Sequence, residues 1–365
     1  MKVLFQTRKT LFSAPGGDTT QLLKTKEYLE KMGVEVDITL ELEPDVSKYD
    51  LVHVFNLMRP QELYLQVRNA KRQGKKIALS TIYGPYVEFE KKARRGPLKY
   101  ISKVLTMNQI DYCKVFARAF LNREFSKGTL IYLLNGHGRL QKKIVNMVDV
   151  FLPNSHSEMK RVVDDFSLND YKYVSVPNAV DIAKFDYDKT DIDPDIQEYK
   201  DCILCVARIE GRKNQLNIIK ACKGLPYQLV FIGKAGPNSG KYYHDCLAED
   251  GNTHFLGQIE HEKLPQYYKV AKVHVLPSWM ETPGLSSLEA AIMRTNIVVT
   301  KKGDPEDYFG DMAYYCEPDD IESMRKAIID AYEAEFKEAL RQKILNCYKW
   351  EDTARETLKG YKMCF

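Results

Sequence analysis

Four side chains in the second half of this sequence have the types and spacing to handle a charged, hydroxyl-rich ligand. Arg208 and Lys213 stand in "VARIEGRKNQ", and Glu281 and Glu289 in "WMETPGLSSLEAAIMR". Two cations where a strand gives way to a helix, beside that helix's free amides, suit a diphosphate. The competing reading is a solvated basic loop in which Arg212 is one more surface charge. In the second stretch a helix is expected to begin around Leu285 to Ser287, with Glu281 in the loop and Glu289 about one turn inside. Amides after Gly284 then favour an anion. Glu289 is placed to accept hydrogen bonds from ribose hydroxyls of a nucleotide whose phosphates meet those amides, and Glu281 from the hydroxyls of a sugar. For either glutamate alone, an acidic residue that complements a helix macrodipole is the plainer explanation.

The first half offers Gly16 and Gly17 in "SAPGGDTTQ", a turn that lets backbone approach a phosphate or sugar closely. A flexible loop is the alternative, and no G-x-G-x-x-G follows the first strand. Other patterns fail on their own terms. "GPNSGKYY" is one residue short of a Walker loop from Gly236, and Tyr242 stands where Ser or Thr should hold magnesium. Cys202 and Cys205 in "CILCVAR" have metal-like spacing. On a strand, however, residues three apart point to opposite faces, and no second Cys or His pair is near. They are expected to be core cysteines. Asp193 and Asp195 in "DIDPDIQ" lie in an acidic stretch expected to be solvated, so no metal site is expected. Neither H-E-x-x-H nor G-x-S-x-G occurs. The basic run from Lys91 to Lys103 could meet anionic lipid or a lipid diphosphate, and a solvated helix face fits it equally.

These residues need a scaffold, and the chain is long enough to supply two. Its 365 residues are 44% hydrophobic and 28% charged, the profile of a folded soluble protein of two domains. A net charge of +4 does not argue for nucleic acid. No apolar run approaches a membrane span of about 18 residues, and "MKVLFQTRK" lacks the apolar core of a signal peptide. The expected location is cytoplasmic, with a peripheral place at the inner membrane face open to it through the basic run. Short apolar strands such as "KVLFQT", "VEVDITL", "YDLVHVF" and "KKIALSTI" alternate with helical stretches, and Gly33 stops the first helix. From Pro85 to about Val148 the pattern is long and helical. "VDVFLPNS" and "YVSVPNAVD" read as further strands, and "KFDYDKTDIDPDIQEYKD" as the linker. "CILCVAR", "YQLVFIG", "THFLGQ", "VHVLPS" and "NIVVT" open a second alternation. Two doubly wound domains facing a cleft, with ligand at the carboxyl ends of the strands, are expected.

Taken in order, "APGGDTTQ", "LPNSHSEMKR", "VPNAVDIAKF", "VARIEGRKNQ", "ETPGLSSLEAA" and "KKGDPEDYF" resemble the retaining glycosyltransferases of family four. The likeness is close from about Val174 to Asp330 and loose before. It implies an α/β GT-B fold of two Rossmann-like domains. Residues 1–182 would bind the acceptor, with a helix at about 350–365 packing back on them, and residues 183–349 would bind the donor. The implied reaction moves a sugar from a nucleotide diphosphate, UDP or GDP, to a glycan or lipid-linked acceptor. The implied setting is bacterial surface polysaccharide biosynthesis, with no metal or other cofactor required.

By the same resemblance, Arg208 and Lys213 hold the donor diphosphate and stabilise the leaving nucleotide, and Glu289 binds the ribose. Glu281, with the amides of Gly284 and Leu285, grips the transferred sugar. Gly17, beside Gly16, approaches the donor phosphate from the other domain. Gly233 and Ser286 complete the donor site, and Tyr83 and His137 are acceptor or sugar contacts. Attack on the same face as departure, with the leaving phosphate taking the acceptor proton, needs no dedicated base. Three places depart from the family pattern. Pro283 stands where an aromatic or glycine is common and lacks an N–H. Tyr83 falls where many members carry a cleft histidine, and Thr295 and Ile297 replace a Gly and a Pro. The alternatives are a sugar-nucleotide epimerase of the same fold and a non-catalytic nucleotide-sugar binder.

Overall fold

A computed structural model of the chain describes residues 1–93, 109–110, 112–113, 115–116, 127–236, 239–249 and 251–365. It divides into two units. One comprises Met1–Lys91, Arg95–Asn178 and Trp350–Phe365; the other comprises Lys92–Arg94 and Ala179–Lys349.

The first unit is built on five parallel strands, β1 (Lys2–Gln6), β2 (Glu35–Thr39), β3 (Leu51–Phe55), β4 (Lys76–Ser80) and β5 (Val150–Phe151), in the order β2-β1-β3-β4-β5. β3 is buried at every position and β4 at all but its first, as strands covered on both faces must be. Alternation divides β1 between two cores. Val3 and Phe5 pack with Leu22 and Leu29 of α1 (Gly17–Lys31), and Leu4 packs with Leu63 and Val67 of α2 (Pro60–Arg72). Helices α3 (Lys127–Asn135), α4 (His137–Val145) and α5 (His156–Phe166) follow, the last capped by Ser155, whose Oγ accepts from Glu158 N at 2.8 Å.

A last helix of this unit, Trp350–Lys362, packs beside α1 and places Ala354 and Tyr361 in the core with Val3 and Phe5. A Cβ at Gly360 would lie 2.3 Å from Leu152 Cδ2, so glycine lets the helix settle this closely without displacing the Leu152 side chain. Tyr361 OH lies 2.7 Å from Nδ1 of the buried His53 on β3, and Ser80 Oγ lies 2.9 Å from its Nε2.

Two sequence expectations are corrected in this unit. "YVSVPNAVD" is extended but forms only isolated bridges, Phe151 with Tyr173 and Val180 with Lys349. Pro177 interrupts it and can donate to no neighbour. Of the stretch from Pro85 to Val148, a π turn at Phe89–Ala93 and helices α3 and α4 are described. Residues 94–103, most of the basic run, lie outside the described residues.

The second unit carries β6 (Ile203–Val206), β7 (Leu229–Ile232), β8 (Thr253–Phe255), β9 (Val273–Leu276), β10 (Asn296–Val299) and β11 (Tyr314–Tyr315). They are all parallel, in the order β11-β10-β9-β6-β7-β8. Cys202 belongs to the core on one face of this sheet and Cys205 to the core on the other, and burial pushes both thiols up to about 12. The acidic stretch expected as a linker is instead packed into this unit. Phe185 and Ile196 are buried anchors in its core, and Pro194–Gln197 forms a helical turn. Its charged residues hid two apolar ones spaced far apart. Among the described residues, no helix is long and apolar enough to cross a membrane.

Candidate functional site

In the second sheet the chain runs outward from β6 through β7 to β8, then crosses back and runs the other way through β9, β10 and β11. The loops after β6 and β9 therefore diverge at a topological switch point, where the carboxyl ends of the strands leave a crevice. Arg208, Lys213 and Glu281 all lie on these two loops.

The loop after β6 is held by its own backbone groups. Gln215 Nε2 donates to Arg208 O at 2.9 Å, and Gly211–Lys213 forms a 3-10 turn ending in Asn214 at φ 67°. Asn214 Nδ2 donates to Pro277 O at 3.3 Å and Pro318 O at 2.7 Å, and Trp279 N donates to Arg212 O at 3.0 Å. Arg212 is paired with the buried Glu210, at 3.0 and 3.1 Å to its two oxygens, and is thus not the plain surface charge of the competing reading. Arg208 is half-buried, and among the described residues its guanidinium has no partner. β7 is followed by Gly233, φ 145°, where a Cβ would lie 1.9 Å from Ala207 O; glycine is what lets the two strand ends run together.

The loop after β9 presents Glu281. Lys213 Nζ pairs with Glu281 Oε2, and Ser278 Oγ donates to the same oxygen at 2.9 Å. The loop after β10 clamps the Glu281 backbone: its N donates to Lys302 O at 3.1 Å, and Asp304 N donates to its O at 2.9 Å. Gly303, φ 102°, passes so close that a Cβ would lie 2.0 Å from Glu281 O. The Thr282–Pro283 bond is cis. Gly284, φ 92°, then caps helix α6 (Leu285–Ile292). Among the described residues the amides of Leu285 and Ser286 have no acceptor, leaving two donors at the positive end of the helix dipole.

One turn into α6, Glu289 is mostly covered, its side chain 13% exposed. Tyr268 OH donates to its Oε2 at 3.0 Å, and His261 Nε2 lies 3.1 Å from Oε1. Burial and then the Glu289 charge hold the Tyr268 phenol well above its ordinary value, so it stays a donor. An unpaired guanidinium, an ammonium, two free amides and two carboxylates thus line one sheet edge. They can hold an anion between them and accept hydroxyls on either side.

The remaining expected site residues lie in the first unit. Gly16 is the N-cap of α1 and extended, at φ −152°, and Gly17 is the first residue of that helix. Tyr83 is buried in the core of the first unit. It is buried against Phe166, its hydroxyl donates to Asp165 Oδ2 at 2.6 Å, and its amide donates to Glu158 Oε1 at 2.7 Å. Burial and Asp165 hold that phenol well above its ordinary value. His137 is likewise buried at the start of α4, its Nδ1 3.0 Å from Tyr132 OH.

Five contributors to the site went unread in the sequence: Asn214, Ser278, Gly303, His261 and Tyr268. Asn before a helical stretch and the Gly-Asp-Pro turn at Gly303 were usable signals. His261 and Tyr268 carried none, because only the folded sheet brings them to Glu289.

Residues 186–349 match the family model described as glycosyl transferases group 1. The O-antigen chain mannosyltransferase B of Escherichia coli is 24% identical over 172 residues, 44% of this chain and 45% of that protein. The match therefore spans less than half the length of that relative. Over whole chains, the sucrose-phosphate synthase of Thermosynechococcus elongatus superposes with a TM-score of 0.70 at 15% identity, covering 99% of this chain and 98% of that one. Anabaena HepE in complex with UDP and glucose gives 0.67 at 13% identity, covering 99% of each chain. The fold of the chain is GT-B, two α/β units each on a parallel sheet.

Proposed function

We propose that this protein is a retaining, metal-independent glycosyltransferase that moves a sugar from a nucleotide-diphosphate donor, UDP- or GDP-linked, to a glycan or lipid-linked acceptor. The observation that carries the reading is the unpartnered, half-buried Arg208 at the switch point of the second sheet, with Lys213 on its own loop paired to Glu281 on the facing loop, and the open amides of α6 after Glu281. The group 1 match over this unit and the UDP complex of a fold neighbour support it. The O-antigen relative supports a surface-polysaccharide setting, with action at the cytoplasmic membrane face where lipid-linked acceptors are met.

In this reading Arg208 and Lys213 bind the diphosphate, and Glu289 takes the ribose hydroxyls. Glu281 and the amides at Gly284 and Leu285 hold the sugar. The bond from the sugar's anomeric carbon to the phosphate oxygen breaks, and a bond to the acceptor oxygen forms on the same face. The acceptor proton passes to the departing phosphate, whose growing negative charge Arg208 and Lys213 stabilise.

Thermal shift against UDP, GDP, dTDP and ADP tests the donor site. A ligand at about a hundredfold its dissociation constant stabilises by roughly 2.7 kcal/mol. No shift with any of the four would overturn the reading. Incubation of the matching nucleotide sugar with glycan and lipid-linked acceptors then separates the alternatives: a glycosylated product marks a transferase, an epimer marks an epimerase, and binding without turnover marks a binder. Glu289→Ala should weaken the best nucleotide; unchanged binding would remove the ribose assignment.

A further inference from the structure

Glu289 is the end of a row of side chains. Lys184 Nζ lies 3.0 Å from His261 Nδ1 and 3.1 Å from Glu262 Oε1, and His261 Nε2 lies 3.1 Å from Glu289 Oε1. Tyr268 OH donates to the other carboxylate oxygen at 3.0 Å. The Phe185 ring stands edge-on to His261, with centroids 5.4 Å apart, and also packs on Tyr268 at 6.0 Å. A lysine ammonium can only donate. Nδ1 of His261 is therefore the accepting nitrogen, and the ring proton sits on Nε2, from which it is donated to Glu289.

The geometry points to His261 as a positioning residue for nucleotide ribose. Lys184 selects its tautomer, and His261 with Tyr268 then gives each oxygen of Glu289 one fixed donor. The carboxylate plane is locked, and one lone pair on each oxygen is left to meet two vicinal hydroxyls. Outer groups of this kind orient the group that touches the ligand without touching it themselves. The inference rests on the donor-site reading above and concerns what in this chain makes Glu289 selective for a ribose carrying both hydroxyls.

The test is calorimetric binding of UDP and GDP, each beside its 2′-deoxy and 3′-deoxy forms, to the wild type and to His261→Ala, His261→Gln and Lys184→Met. The wild type should bind one ribonucleotide and discriminate against its deoxy forms. His261→Ala should weaken the ribonucleotide by about tenfold, the order expected for losing a hydrogen bond to a charged group, and bring the ribo-to-deoxy ratio toward one. His261→Gln, whose amide nitrogen can donate to the same oxygen, should restore the ratio, and Lys184→Met should lower it by less. Merely structural damage would weaken ribo and deoxy ligands alike. If both His261→Ala and Lys184→Met keep the wild-type ratio, the positioning role is overturned while the donor site stands. If the wild type binds neither UDP nor GDP, the donor-site reading fails for these nucleotides and the role falls with it.

Discussion

Each sheet has an arginine two residues past the strand that opens its switch point, and the two side chains have opposite fates. Arg8, after β1, is 6% exposed and saturated. It donates to Asp18 at 2.8 and 3.0 Å, to both oxygens of Thr10 at 2.7 and 2.9 Å, and to Ala14 O at 3.0 Å. Arg208, after β6, has no side-chain partner among the described residues. A histidine repeats the contrast on the strand across each switch point. His53 on β3 is bonded at both nitrogens, whereas neither nitrogen of the fully buried His274 on β9 has a partner among the described residues. The same topology is thus closed on itself in one unit and left open in the other. A switch point is where a ligand can bind, and the side chains decide whether it does.

The contrast can be broken most sharply at Arg8. Arg8→Met strands the Asp18 carboxylate and should cost about 3–5 kcal/mol in urea unfolding. Burial pushes the Asp18 carboxyl up, but the hydrogen bond and charge of Arg8 more than offset this and leave it below its ordinary value. That stability is present above about pH 4 and lost as the pH falls through the folded value, a dependence the variant should not show. Arg208→Met should do the reverse, changing unfolding by less than about 0.5 kcal/mol. Turnover of the nucleotide sugar should fall about 10²- to 10³-fold in kcat/KM. Equal losses of stability in the two variants would erase the distinction.

A smaller effect separates the histidines. Burial pushes both imidazoles down to about 3, helped at His274 by the nearby Lys213 charge. The unfolded chain takes up these protons near pH 6.5, so the stability the neutral rings carry is full above that and lost as the pH falls toward 3. His53→Leu leaves Tyr361 and Ser80 without their partner and should cost about 1–3 kcal/mol at pH 7. His274→Leu breaks no such bond. It should stay within about 1 kcal/mol of wild type at pH 7 and flatten the acid side of the stability curve at pH 5. If His274→Leu costs as much as His53→Leu at pH 7, a bound partner for His274 must be sought.

The fold class was legible because strands covered on both faces must be largely apolar, as "ILCV" is and as "LVHVF" is apart from His53. Two-residue strands such as β5 and β11 carry no such signature. Acidic composition masked Phe185 and Ile196 as anchors, and the apolar look of "YVSVPNAV" concealed a segment that meets β5 through an isolated bridge instead of forming a full strand. In the site, the types of Arg208, Lys213, Glu281 and Glu289 could be read. That Lys213 closes on Glu281 across a sequence separation of 68 could not, since the sheet alone brings them together. The packing of Tyr83 was hidden for the same reason: its partner Asp165 lies 82 residues away.

The return of the chain to its first unit has a consequence for how the protein is made. The helix Trp350–Lys362 follows the whole of Ala179–Lys349 in the sequence, yet Val3, Phe5 and His53 pack against it. At about 5–20 residues per second on the ribosome, part of the first sheet waits on the order of ten to thirty seconds for its cover. Throughout that interval the nascent chain carries an exposed apolar face, and His53 has Ser80 but not yet Tyr361 as a partner.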